Sequence, residues 1–181
     1  MNFSDHVFVF DCESIGLYGE VFAVAGGVYR RGLPIHEFCY ACPRDHEDVY
    51  GTKKDREWVD EHVPSIHVTH ESPEDIRRAF WKEWMWAKKH FHDISIWAEC
   101  LWPIEARFVV KTVCDDFENR TWEGPYPFHE ISTAMHLAGM DPMKTYTRKP
   151  LELPNHHPLA DTRLSARLLS EALEGISSSS D

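Results

Sequence analysis

Residues 6–10 (His6-Val7-Phe8-Val9-Phe10) are a short aromatic and β-branched run, which predicts a buried central strand ending at Asp11. After a turn at Ile15-Gly16-Leu17-Tyr18-Gly19, two more strand-like runs follow, residues 21–30 and 34–42, joined through the hairpin signal Arg31-Gly32-Leu33. The chain therefore opens with three consecutive strands. Residues 43–70 are polar and His-rich and give little periodic signal beyond a short helix near Lys54 to His62.

Ser72-Pro73-Glu74-Asp75 reads as a helix start: a cap residue, Pro at the first helical position, then acids in the first turn. Ile76, Phe80, Trp84, Ala87 and Phe91 recur at helical spacing, so this helix runs to about residue 91. Residues 94–98 (Ile94-Ser95-Ile96-Trp97-Ala98) predict a fourth strand, and Pro103 opens a second helix with Phe108, Val109 and Thr112 on one side. A short helix around Ile131 to Ala138 lies among Pro-rich turns, and a last helix starts near Pro158 and runs through Leu164, Leu168 and Ala172. This order predicts a mixed α/β sheet covered by helices, in one domain over residues 1–175. The Ser-rich residues 176–181 read as a flexible tail.

Length and composition agree with one soluble domain: 181 residues, 43% hydrophobic and 27% charged. No apolar run approaches the roughly 18 residues of a membrane span, and the first residues lack the basic and apolar stretches of a signal peptide, so the expectation is a cytoplasmic protein with no membrane partner. The five cysteines show no framework spacing and fit reduced thiols. The one CxxC, Cys39 to Cys42, falls in a predicted strand, where positions i and i+3 point to opposite faces and cannot share a metal ion. A formal net charge of −11 argues against holding long nucleic acid by counterion release. It does not exclude a nuclease whose positive charge comes from bound metal ions.

The positions of the acids decide between these cases. Asp11 and Glu13 are two residues apart at the end of the first strand, where the period of two puts both carboxylates on one side. Two like charges so close are costly without a cation between them, although a strand can also simply end in polar residues. Asp161 lies on the first turn of the last helix and shares the inward face of Leu164, Ser165 and Leu168, where the helix dipole favours its ionised form. Five residues earlier, in the loop Pro154-Asn155-His156-His157-Pro158, stands His156. A further acid is due from the strand and helix between, and two qualify: Glu99, ending the strand at 94–98, and Glu105, near the start of the helix opened by Pro103. Glu105 is favoured because its placement mirrors that of Asp161.

Phe10-Asp11-Cys12-Glu13 after an apolar strand, Ile104-Glu105-Ala106-Arg107-Phe108-Val109, and His156 followed at the fifth position by Asp161 together resemble the three motifs of DEDDh-class (DnaQ-like) 3′-5′ exonucleases. The resemblance spans residues 7 to about 170 and is greatest to the small stand-alone 3′-5′ exoribonuclease-like domains of bacteria and their phages. That class usually carries Asp in the second motif, with His-Asn ending the preceding strand. Here Glu105 and Ala98-Glu99 take those places, with one residue more between them, so Glu99 stays the alternative.

The resemblance implies an RNase H-like mixed sheet flanked by helices and two Mg²⁺ or Mn²⁺ ions held by Asp11, Glu13, Glu105 and Asp161. His156 would be the general base, and the reaction would release nucleoside 5′-monophosphates from single-stranded RNA or short 3′ overhangs. The implied partners are the 3′ end of single-stranded RNA or DNA and the monophosphate product, with a homodimer admitted. A DNA-specific 3′-5′ exonuclease is the near alternative. A catalytically impaired domain of the same fold that binds nucleic acid or a partner is the distant one, and the presence of Asp11, Glu13, His156 and Asp161 together argues against it. Trp81, Trp84 and Trp86 are expected to pack rather than stack on bases, whereas Trp102 is open to either role. Arg107, Lys111, Arg148 and Lys149 could meet phosphates, although isolated basic residues usually only solvate a surface. His62, His67 and His70 match no close zinc-ligand spacing.

Overall fold

A computed structural model describes residues 5–178. Five strands form one sheet in the order β3-β2-β1-β4-β5: β1 is His6–Ser14, β2 Val21–Arg30, β3 Leu33–Ala41, β4 Ser95–Ala98 and β5 Phe128–Glu130. The first three strands are antiparallel neighbours, and β4 and β5 add in parallel on the other side of β1. The most apolar strands, β1 and β2, are thus flanked on both edges.

Alternation along β1 assigns the two faces of the sheet. Phe8, Phe10 and Cys12 enter a core packed by helices α2 (Pro73–His90) and α3 (Ala106–Cys114), whose buried stripes include Ile76, Phe80, Trp84, Ala87, Phe108 and Val109. Val7 and Val9 enter a second core with helices α5 (Ile131–Leu137) and α6 (Pro158–Ser178), closed by Ile131, Met135, Leu164, Leu168 and Ala172. β1 continues past Asp11 to Ser14, because Asp11, Cys12 and Glu13 go on pairing with Ala25, Val24 and Ala23. By parity Asp11 and Glu13 extend the row of Val7 and Val9, the face covered by α6.

Several elements depart from the sequence expectation. Pro103 does not open a regular helix: a wide helical turn, Leu101–Glu105, broken at Trp102 (φ −109°, ψ 137°), precedes α3, so Glu105 sits at the cap of that helix. β5 and the four-residue helix α4, Phe117–Arg120, were too short to register as periodic patterns. Helix α6 continues through Ser178, into the expected tail, with Ser-to-carbonyl bonds such as Ser177 to Leu173 in its last turns; residues 179–181 lie outside those described.

The poorly patterned stretch does hold the expected helix, α1 (Lys53–His62), capped reciprocally by Thr52 and Asp55. α1 docks on the turn after β1 at Gly16, which has φ +73° and approaches so closely that a Cβ there would lie 2.5 Å from the Asp55 carboxyl carbon. Among the described residues, no helix is long and apolar enough to cross a membrane.

Candidate active site

The five sequence-selected residues converge at the carboxyl-terminal ends of the parallel neighbours β1 and β4. Asp11, Glu13, Glu105, His156 and Asp161 line one open cavity of about 230 Å³, together with Glu99, Cys100 and Trp102. One ligand atom each from Glu13, His156 and Asp161 lies within 4.8 Å of the others. β1 supplies Asp11 and Glu13 on the face toward α6; the first turn of α6 supplies Asp161, and the loop before it supplies His156. His156 adopts the left-handed conformation (φ +58°), which turns the loop sharply just before Pro158 starts the helix.

Glu105 is the most enclosed of the acids, 6% exposed, and its Oε1 accepts a hydrogen bond from the Cys12 backbone N–H, at 3.4 Å. It is therefore tied to the strand between Asp11 and Glu13. Glu99 also lies at the cavity but is committed elsewhere, its Oε2 accepting from Ser165 Oγ at 2.7 Å.

The electrostatics reflect crowded negative charge. Burial, then repulsion from Asp161 and Glu105, pushes the Glu13 carboxyl up to about 8. Burial also raises Glu105 to about 8, against the lowering effect of two backbone N–H donors, and Glu99 adds to the rise. Asp11 is raised by burial and then by Glu13, Glu105 and Asp161. Among the described residues, no donor hydrogen-bonds the Glu13 carboxylate. Hard carboxylate oxygens crowded without enough cations are the donor set that divalent ions such as Mg²⁺ or Mn²⁺ fit.

Arg148 brings positive charge into the cluster: its Nη1 donates to Asp161 Oδ1 at 2.5 Å. The other basic candidates are engaged away from it or exposed. Arg107 binds the Leu17 and Gly19 carbonyls and the Tyr50 hydroxyl, Lys111 pairs with buried Glu20, and the Lys149 side chain is exposed. Of the tryptophans, Trp84 is in the core with its Nε1 donating to the Glu123 carbonyl, Trp81 and Trp86 pack against that core, and Trp97 is buried against His129. Trp102 stands at the rim of the carboxylate cavity, 63% exposed. Cys42 is buried, and burial pushes its thiol up to about 12, in keeping with an inert core position rather than a metal ligand.

Sequence reasoning missed Trp58 on α1. It lines a second cavity of about 340 Å³ beside the first, with Leu17, Ile104, Glu13 and His156. Its indole meets the His156 ring edge to face, centroids 5.3 Å apart, and stacks on His62 at 4.6 Å. No local pattern could announce this, because α1 carries only one buried residue, Val59, and Trp58 is 46% exposed.

No protein-family model matches the chain, and no curated protein matches it in sequence. Its structure is similar to that of S. pombe Pop2p in the Mg²⁺- and Mn²⁺-bound form, at a TM-score of 0.63 and 10% identity over 91% of this chain and 81% of that one. It is similar to the exonuclease I of Methylocaldum szegediense at 0.63 and 14% identity, over 92% of this chain but 40% of that longer one. It also matches the nuclease domain of 3′hExo, a DEDDh family member bound to rAMP, at 0.53 and 12% identity, covering 96% of this chain and 94% of that domain. The chain has the RNase H-like, DEDDh-type (DnaQ-like) exonuclease fold.

Proposed function

We propose that this chain is a metal-dependent 3′-5′ exonuclease that releases nucleoside 5′-monophosphates from single-stranded RNA or short 3′ overhangs. The observation that carries the reading is the convergence of Glu13, His156 and Asp161 within 4.8 Å, beside Asp11 and Glu105, on a fold shared with DEDDh exonucleases. Asp11, Glu13 and Asp161 would hold the divalent ions, with Glu105 helping to place a second one. Such ions, when bound, stabilise the attacking and leaving oxygens of a phosphodiester displacement.

The remaining work falls to the chain's own groups. His156, on the exposed loop before α6, takes the proton from the attacking water as general base. The apolar wall of Leu17 and Ile104 receives the terminal base, where aliphatic contacts tolerate any sequence. Few free cations surround the site, so binding relies on the metals and this wall, which favours short or single-stranded ends over long duplexes.

The test is release of mononucleotides from 3′-labelled RNA and DNA of one sequence, with Mg²⁺, Mn²⁺ or EDTA. Ion-dependent release, greater from RNA, is expected. Well-folded protein that releases nothing with either ion would reject the enzyme, and preference for DNA would reassign the substrate.

A further inference from the structure

His156 sits where its chemistry requires, yet little in its own loop holds it. It is exposed, its backbone is in the left-handed region at φ +58°, and among the described residues no side chain hydrogen-bonds its ring. The ring that packs against it comes from a distant part of the chain: Trp58, edge to face at 5.3 Å with planes at 79°. Trp58 is itself fixed, stacked nearly parallel on His62 (9°), whose Nδ1 lies 2.8 Å from the Trp58 carbonyl oxygen.

The helix that carries this pair is anchored on both flanks. Thr52 and Asp55 cap its start, Asp55 abuts Gly16 in the turn after β1, and Arg56 donates to the Arg44 and Val49 carbonyls. An anchored helix thus presents an indole to an otherwise unsupported imidazole. Edge-to-face packing has a preferred geometry, so the contact narrows the orientations available to His156 rather than only covering it.

We propose that Trp58 is a positioning residue for His156: it holds the imidazole toward Glu13 and Asp161, and α1 serves as the arm that sets this distance. The catalytic consequence rests on the exonuclease reading above. If Trp58 served the substrate alone, by stacking on a base, its removal would raise KM. If it positions His156, its removal lowers kcat, because the imidazole spends less time in the productive orientation.

Two readouts test this on the full chain. In Trp58→Ala, kcat is expected to fall about threefold to tenfold with KM changed less than about twofold, and Trp58→Phe, which keeps a ring, should recover most of the loss. Independently of activity, the His156 imidazole proton resonances, assigned through His156→Asn, should lose their ring-current shift in Trp58→Ala and keep part of it in Trp58→Phe. A rise in KM at constant kcat, or imidazole resonances indifferent to Trp58, overturns the proposal. An inactive wild-type protein would instead overturn the exonuclease reading, and the resonance measurement would still judge the contact. Because Trp58 is half-exposed and Val59 is the buried residue of α1, the variants should fold.

Discussion

Arg148 donates to Asp161 Oδ1 across 2.5 Å and, from the same nitrogen, to the Glu152 carbonyl across 2.8 Å. The carboxylate that α6 contributes to the cluster is therefore partly neutralised by the segment just before the loop of His156. Arg167 and Arg163 extend the arrangement, the first pairing with buried Glu152 and binding the Thr147 carbonyl, the second binding the Leu151 carbonyl. Arginines from α6 and its approach segment thus brace the stretch that leads to His156.

Removing Arg148 leaves the half-buried Asp161 carboxylate without its cation in the crowded cluster. Hydrogen bonds to charged groups contribute about 1.5–3 kcal/mol, so Arg148→Ala is expected to cost about 2 kcal/mol of stability in the metal-free chain. Saturating Mn²⁺ should narrow the difference, because the ion supplies the missing positive charge. Urea unfolding in EDTA and in Mn²⁺ checks both statements. Equal midpoints for the two proteins in EDTA would show that the pair contributes nothing.

Glu13 and Glu105 hold their protons to about pH 8 in the folded chain, against an ordinary value of 4.5, and Asp11 is raised as well. Between these values the folded state binds more protons than the unfolded state, so stability falls as pH rises. The contribution is fully present below about 4.5 and is lost as pH passes through 8. Glu37 and Glu152, lowered by their arginine partners against burial, act in the opposite sense but only at more acid pH. In EDTA the melting temperature is expected to decline from about pH 5 to about pH 8.5. Mg²⁺ or Mn²⁺ should flatten that profile, and Glu13→Gln should flatten it in part. A metal-free melting temperature that rises over this range would contradict the electrostatic account.

His156 and His157 are neighbours in sequence but not in surroundings. His156 lies within 4.8 Å of Glu13 and Asp161, whereas His157 turns its carbonyl to the Asp161 N–H at the start of α6. A positioned general base typically contributes 10²–10⁴-fold, so His156→Asn is expected to lower kcat by about that factor and His157→Asn by less than about tenfold. Asn is the suitable replacement because it tolerates the left-handed backbone at φ +58° that Ala would strain. Single-turnover release from labelled RNA measures it, and equal losses in the two variants would remove His156 as the base.

What the sequence made legible follows from the range of the forces involved. The strands 21–30 and 94–98 and the stripe Ile76, Phe80, Trp84, Ala87 were visible because burial imposes a period that repeats within a few residues. Asp11, Glu13, His156 and Asp161 were visible for a related reason: each sits at a fixed offset from an apolar element whose end faces the cavity. Trp58 was not, since its partner lies 98 positions along the chain and α1 is nearly all surface. Arg148 was readable only as a basic residue, because an ion pair across 13 positions of irregular chain leaves no periodic trace. The extension of β1 to Ser14 depends on pairing with β2 and overrides the local polarity of Asp11 and Glu13.

Glu99 and Glu105 both reach the cavity, and their hydrogen bonds distinguish them. Glu105 is tied to the Cys12 N–H, between the two acids of β1, while Glu99 is tied to Ser165 on α6 and repels Asp11 less than Glu13, Glu105 or Asp161 does. Glu105→Gln keeps shape and hydrogen bonding but removes the charge that would help hold a divalent ion. It is expected to lower kcat about 10- to 100-fold, in line with loss of a metal ligand's close support. Glu99→Gln retains an acceptor for Ser165 and should lose less than about tenfold. Mn²⁺ affinity measured by calorimetry should follow the same order, weaker in Glu105→Gln and nearly unchanged in Glu99→Gln. The reverse order would move the second-motif role to Glu99, with Glu105 left as a buried acid that fixes the turn of β1 against α3.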